Sequence, residues 1–242
     1  MRYKITFAYD GSFFHGFERQ PSLKTVEGEI EKVLKSIFKK DIDIVASGRT
    51  DKGVHALNQV AHFDLDIEVK PYSIKKLLND NLNKEIYINK VEVVDNNFHA
   101  RYSAKNKTYC YYINTSTFNV FKKDYIYQYN KKLDTDKMKK ALSLFVGEHD
   151  YRSFCKCEKE QENCVRKITK ATLEEKDSLI SIRLTANGFL RNMVRNIVGL
   201  LIEVGSNKKD IKEVKKILDS NGIIRYNKSA PSSGLYLEKI NY

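Results

Sequence analysis

The stretch of this sequence best equipped for chemistry is Ala46–Ala56, A-S-G-R-T-D-K-G-V-H-A. It holds one carboxylate, Asp51, with cations at Arg49 and Lys52 and glycines at Gly48 and Gly53. An ionised carboxylate can serve as a nucleophile or a base, and nearby cations favour its charged form. Glycine admits positive φ and close backbone approach, so a tight, shaped loop is expected here. Strand-like runs flank it, Ile42–Ala46 before and Asn58–Leu65 after. A rigidly mounted loop is a common place for function. On its own, D-K-G is also ordinary turn chemistry.

Three further stretches carry candidate groups. In Ala100–Ile113, A-R-Y-S-A-K-N-K-T-Y-C-Y-Y-I, Tyr109 and Tyr111 fall on one face of a strand just after Lys105 and Lys107. Aromatics interleaved with cations suit base stacking and phosphate neutralisation, although a core strand reads the same way. Phe189–Gly205 predicts a helix with a stripe of Leu190, Val194, Ile197, Leu201 and Val204. Arg191 and Arg195 are four apart on its flank, and Gly199 would let another element come close. An arginine beside an apolar stripe calls for an anionic partner or for solvent. In Ala230–Leu237, Leu235 follows a glycine and reads as a pocket wall or as simple strand entry.

These groups need a scaffold, and the pattern supplies one. Tyr3, Ile5, Phe7 and Tyr9 alternate as in a half-buried strand. Thr25 can cap a helix to about Lys39, with Val26, Ile30, Val33, Leu34, Ile37 and Phe38 on one face. A short strand, the Asp51 loop and a second strand follow. Pro71 opens a helix with Ile74, Leu77, Leu78 and Leu82 inward, and Ile86–Val94 is a strand whose alternation slips near Asn89–Lys90. The order is βαββαβ, the ferredoxin-like unit. The second half repeats it: a strand over Asn106–Asn114, a helix over Asp134–Val146, a hairpin over Val165–Ala186, helices over Phe189–Val204 and Asp210–Leu218, and a strand over Gly234–Ile240. The expectation is an α+β chain of two ferredoxin-like, RRM-like subdomains, residues 1–100 and 101–242, with mostly antiparallel sheets flanking a cleft.

The 242 residues are enough for two such cores, and 41% hydrophobic with 31% charged residues is a globular balance. The net charge of +12 suits a polyanionic partner, nucleic acid first. A lysine-rich coding bias would give the same total. No apolar run is long enough to span a membrane, and the chain opens on a strand pattern rather than a signal peptide, so the cytoplasm is expected. Cys155, Cys157 and Cys164 with His149 include the ligand types for zinc, but C-x-C with a lone third cysteine fits no common structural zinc site.

Taken together, G-R-T-D-K-G-V-H-A, the Tyr109 strand, F-L-R-N-M-V-R-N-I-V-G and G-L-Y-L, in this order, resemble the tRNA pseudouridine synthase A family. The early F-F-H-G-F and Q-P-x-x-x-T-V-E match its N-terminal pattern. The likeness covers nearly the whole chain. Departures are Glu18 within G-F-E-R, where the family usually has an aromatic and Gln, Lys52 at a position often small, and Arg191 at a variable one. The resemblance implies isomerisation of uridine to pseudouridine in the anticodon stem-loop of tRNA, at about positions 38 to 40, where the base must first leave its stack. It implies no cofactor and a homodimer. It makes Asp51 the nucleophile or base, with Arg195 pairing with it. Tyr109 would stack on the flipped uracil, Leu235 would wall the base, and Arg49 would open the stem or hold the nucleotide. Two competing readings are an RNA-binding protein without chemistry, built on RRM-like units, and a zinc enzyme using the cysteines and His149.

Overall fold

Strand β1 (Arg2–Tyr9) sets the first core, because its alternation leaves Tyr3, Ile5 and Phe7 with no exposed surface. The computed structural model describes residues 1–156 and 163–242. The described residues form a mixed α/β chain with five α-helices and mostly antiparallel strands. They divide into two compact units, Met1–Lys105 with Tyr236–Tyr242, and Asn106–Leu235.

In the first unit, β1 is followed by α1 (Val26–Phe38), β2 (Val45–Ala46), β3 (His55–Asp64), α2 (Pro71–Asn81) and β4 (Ile86–Val94). Thr25 caps α1, its Oγ1 accepting from the Gly28 N–H at 3.3 Å. The stripe of α1 buries Val26, Ile30 and Leu34, and α2 buries Ile74 and Leu78. Leu77, expected inward, is 38% exposed. The inward row steps by four, from Ile74 to Leu78 to Leu82, and Leu77 sits at its edge. β1 pairs antiparallel with β3 from Arg2↔Asp64 to Phe7↔Gln59. On its other side it pairs with β4, where the register jumps from Thr6↔Lys90 to Phe7↔Ile88. Asn89 is the extra residue of a bulge, which accounts for the slipped alternation.

The second unit contains β5 (Asn106–Asn114), β6 (Tyr127–Gln128), α3 (Thr135–Ser143), β7 (Gly147–Asp150), β8 (Val165–Lys176), β9 (Leu179–Ala186), α4 (Met193–Gly205) and α5 (Ile211–Asp219). Its sheet runs β5-β9-β8-β7, antiparallel throughout, with β6 parallel on β5. Asp177 and Ser178 both take positive φ, which closes the β8–β9 hairpin with the twist its strands require. Helix α4 is buried along most of its length. α5 opens on a capping box between Asp210 and Glu213.

The last strand, β10 (Leu235–Asn241), pairs parallel with β3 through Tyr236↔His55 and Leu237↔Ala56. Residues 236–242 accordingly group with the first unit. β2 covers β3 only at His62 and Ala61, and β10 pairs with β3 at the opposite end of the strand. Strands β6 and β7, of two and four residues, are too short to show a period and were not expected. Helix α4 begins at Met193, not Phe189, because Asn192 adopts φ 62 and breaks the helical path. Arg191 consequently precedes the helix and shares no helical flank with Arg195.

His62 on β3 is 4% exposed, and its Nδ1 accepts from the Ala100 N–H at 3.2 Å. Burial first, then the nearby Arg2 and His99, lowers its pKa. The unfolded chain then binds a proton more readily than the folded one. Stability from His62 is complete above about pH 6.5 and is lost as the pH falls. Urea unfolding at about pH 7.5 and about pH 5.5 should show a larger loss for wild type than for His62→Gln. Equal losses would remove His62 from the pH response.

Candidate active site

Asp51 sits half-buried on the loop between β2 and β3, and three neighbours, Tyr9, Gln59 and Phe17, fix that loop. The loop closes on itself through the Val54 N–H donating to the Asp51 carbonyl at 3.1 Å, with Gly53 at φ 77. The Thr50 side chain is buried and its Oγ1 bonds the Tyr9 hydroxyl at 2.8 Å. Gln59 Nε2 donates to the Gly48 carbonyl at 2.9 Å. The Phe17 N–H donates to the Thr50 carbonyl at 3.1 Å. Burial pushes the Tyr9 hydroxyl up to about 12, partly offset by its hydrogen bonds with Thr50 and Gln59, so it stays neutral.

The aromatic segment after β1 forms the bed of this loop. Phe14 and Phe17 are buried, and Phe17 packs on Phe7 and Tyr9 at centroid distances of 6.4 and 6.3 Å. Two glycines allow the contact. A Cβ on Gly11 would lie 2.1 Å from the Val54 carbonyl oxygen, and Gly16 holds φ 101 with the Thr50 carbonyl 3.2 Å from its Cβ position. The Gly11 N–H also donates to Nδ1 of buried His55 at 3.1 Å, and the His55 ring stacks on Tyr236 at 4.6 Å. Arg49 is exposed and forms an ion pair with Glu18, Nη1 lying 2.8 Å from each carboxylate oxygen. Glu18 entered the sequence reading only as a departure from the family pattern, and the Tyr9–Thr50–Gln59 support was not singled out. Tyr9 was legible only as a core residue of an alternating strand.

The other three candidates belong to the second unit, so the five divide two and three between the units. Tyr109 is half-buried on β5 and meets Phe189 edge-on, with centroids 5.1 Å apart and planes at 85°. Tyr111, two residues on, is fully buried and donates its hydroxyl to the Pro231 carbonyl at 2.7 Å. Burial and the neighbouring Tyr127 push that hydroxyl well above its ordinary pKa, with Arg195 acting in the opposite sense. Arg195, in the first turn of α4, is clasped to Ala230. Its Nε donates to the Ala230 carbonyl at 2.8 Å, and the Ala230 N–H donates back to the Arg195 carbonyl at 2.9 Å. Leu235 is 5% exposed, just after Gly234, whose Cβ position is 2.6 Å from the Tyr112 carbonyl oxygen. The segment 228–234 thus runs close over α4 at Gly199 and over β5 at Tyr112.

Among the described residues no group of three or more His, Cys, Asp or Glu is placed to hold a metal ion. Cys110, Cys155 and Cys164 are buried. Cys157 lies outside the described residues.

Gly199 is the glycine over which that segment passes, as its place in α4 suggested. A Cβ there would lie 2.0 Å from the Lys228 carbonyl oxygen. Gly199→Ala gains roughly 1 kcal/mol of helix propensity. It must also move a backbone carbonyl held by the Arg195–Ala230 clasp, and overpacking of this kind costs about 1–3 kcal/mol. A net destabilisation is expected in urea unfolding, and a stabilised variant would show that the close approach does not matter.

A family profile described as tRNA pseudouridine synthase matches residues 5–103 and 141–242. The curated tRNA pseudouridine synthase A of Dictyoglomus thermophilum is 45% identical over 246 residues, covering all of both chains. Those of Limosilactobacillus reuteri and of a Geobacillus strain are each 43% identical, over all of this chain and 96% and 98% of theirs. The profile spans the Asp51 loop, α4 and the Leu235 strand, and the relatives span the whole chain. This protein belongs to the tRNA pseudouridine synthase family.

Proposed function

We propose that Asp51 is the carboxylate that carries uridine isomerisation in this chain, with Tyr109, Arg49, Arg195 and Leu235 binding the substrate. As a family member the chain isomerises uridine to pseudouridine in tRNA. In that reaction the N1–C1′ bond breaks, the uracil turns, and a C5–C1′ bond forms. C5 loses a proton and N1 gains one, so no electrons are exchanged and nothing else is consumed. The chain must supply a nucleophile or base, a place for a base taken out of its stack, and cations for the phosphates.

The observation that carries this reading is the immobilised Asp51 loop. A carboxylate at a merely structural turn needs no such support from Tyr9, Gln59, Phe17 and two tightly packed glycines. Fixing a reacting group removes the entropy of positioning it, and a displacement of about 1 Å can cost on the order of 100-fold in rate. Tyr109, a half-buried ring on a strand, suits stacking on the extracted uracil. Leu235 offers an apolar wall, and Arg195 a cation in a largely buried setting, where it helps to keep a carboxylate charged. We further propose the anticodon stem-loop as target, a homodimer as the working form, and the cytoplasm as its place. Among the described residues no helix is long and apolar enough to cross a membrane. The strand order β4-β1-β3, with β2 at the end of β3, supports a ferredoxin-like first unit, and the antiparallel β5-β9-β8 order with α3 and α4 between and after these strands supports a second.

The test is tritium release from tRNA labelled at uridine C5. Asp51→Asn should abolish release while binding tRNA as wild type does, because it deletes the reacting charge and leaves the basic surface intact. Turnover by this variant would refute the assignment. Tyr109 separates two roles. Stacking uses the ring, worth about 1–3 kcal/mol per base, and proton removal uses the hydroxyl. Tyr109→Phe should lose turnover with near-normal tRNA binding if the hydroxyl acts in the transition state, and Tyr109→Ala should lose both. A fully active Tyr109→Ala enzyme would take Tyr109 out of the site.

A further inference from the structure

We propose that Tyr102, flanked by Arg101 and His99, is a second stacking platform of this protein, taking an unpaired base of the tRNA. The proposal rests on the tRNA substrate and on no particular role for Asp51. Three observations on the first unit carry it.

The first is exposure. Tyr102 is 77% exposed, among the most exposed large side chains of the chain, in a segment where other aromatic rings are partly or fully covered. A ring so exposed adds little to the core. The second is order. The turn holding it is fixed without help from the Tyr102 side chain. His99 Nδ1 accepts from the N–H groups of Arg101 and Tyr102 at 3.1 and 3.3 Å. The His99 N–H donates to Ser103 Oγ at 3.0 Å, and the Ser103 N–H returns to the His99 carbonyl at 2.9 Å. Upstream, Arg2 Nη1 donates to the Phe98 carbonyl at 2.8 Å, and the Tyr242 hydroxyl donates to the Ala100 carbonyl at 2.8 Å. The third is chemistry. The His99 ring lies 4.3 Å from the Tyr102 ring at 34°, and the Arg101 guanidinium lies 5.7 Å from the centroid of that ring. His99 already presents one aromatic partner to Tyr102, and a base would extend that stack. Arg101, exposed on the adjoining residue, is placed to neutralise the phosphate of the nucleotide so held.

A rigid, exposed ring with a cation beside it loses little conformational freedom on binding, which distinguishes it from an aromatic on a loose loop. It also fits a positively charged chain whose substrate offers both bases and phosphates. A protein partner would use the same ring differently, since it would not bring the regular phosphate charge that makes binding depend on salt.

The test is binding of an unmodified tRNA transcript, by titration at several salt concentrations, with turnover measured alongside. Tyr102→Ala should weaken binding about 5- to 150-fold, the range for loss of one base stack. It should raise KM by a similar factor and leave kcat at saturating tRNA. Tyr102→Phe should bind as wild type, and Tyr102→Leu, of similar bulk but without the aromatic face, should behave like Ala. Arg101→Gln should reduce the slope of log affinity against log salt by about 0.7–0.9, one phosphate's worth. Wild-type affinity in Tyr102→Ala would overturn the proposal. Weak binding by Tyr102→Phe would also overturn it, by making the hydroxyl rather than the ring the contact. A lowered melting temperature in Tyr102→Ala would assign the ring to stability instead. None of these outcomes depends on Asp51, because tRNA release of tritium by the wild-type protein reports on the catalytic reading separately.

Discussion

The buried hydrogen bond between the Tyr9 hydroxyl and Thr50 Oγ1 is the constraint on which the form of the Asp51 loop depends. Thr50 is the residue before Asp51, so fixing its side chain fixes where the carboxylate begins. The bond is worth most because it is buried, since leaving either hydroxyl unpaired there would cost about 1–3 kcal/mol. It also explains why β1 ends as it does. Tyr9 occupies the core face of the strand, and the chain must then turn at once through Gly11 so that its backbone can lie against Val54. A side chain at position 11 would push the Asp51 loop outward even though it touches no reacting atom.

The second unit solves a related problem by different means. Arg195 is oriented through a backbone carbonyl, that of Ala230. Ala230 takes one guanidinium N–H and returns its own N–H to the Arg195 carbonyl, so side chain and backbone are tied to the same residue. The glycine at 199 is what allows the Ala230 segment to come that near. Arg49 is handled differently again. Its partner Glu18 is a true counter-charge, but both side chains are largely exposed, so the pair is weak and exchangeable.

Much of this was legible in the sequence, and the parts that were not share a cause. β1, α1, α2, β5, β9 and the bulge at Asn89 all follow from periodicity, because each element has one covered face and one open one. Gly199 could be read as a point of close approach because a glycine in an otherwise apolar helix needs a reason. Short elements such as β6 and β7 carry no period and were invisible. The start of α4 was missed because Asn192 interrupts the helix through its backbone angle, while the apolar pattern runs straight through it. The pairing of β10 with β3 is not legible because strand pairing is a long-range choice: its polar and apolar residues alternate in the same way whichever strand it joins. Of the candidate site, residue types singled out Asp51, Arg49, Tyr109, Arg195 and Leu235, but not Tyr9 and Gln59, whose contributions come from what they touch.

The parallel pairing of β10 on β3 has a consequence for how the protein is made. Asn58 donates to the Glu238 carbonyl, 180 residues along the chain, and His55 stacks on Tyr236 beside the loop that carries Asp51. Everything else in the first unit lies within residues 1–105. During synthesis that segment leaves the ribosome early and waits, with one edge of β3 uncovered, until the second unit has been made and residues 236–242 emerge. Contacts this distant in sequence form late and slowly. A chain released before its final strand would keep Asp51, Arg49 and their nearest supports, yet lack the ring that backs His55. Unfinished copies would therefore meet tRNA with an incompletely braced carboxylate loop, and the open edge of β3 would mark them for aggregation or degradation.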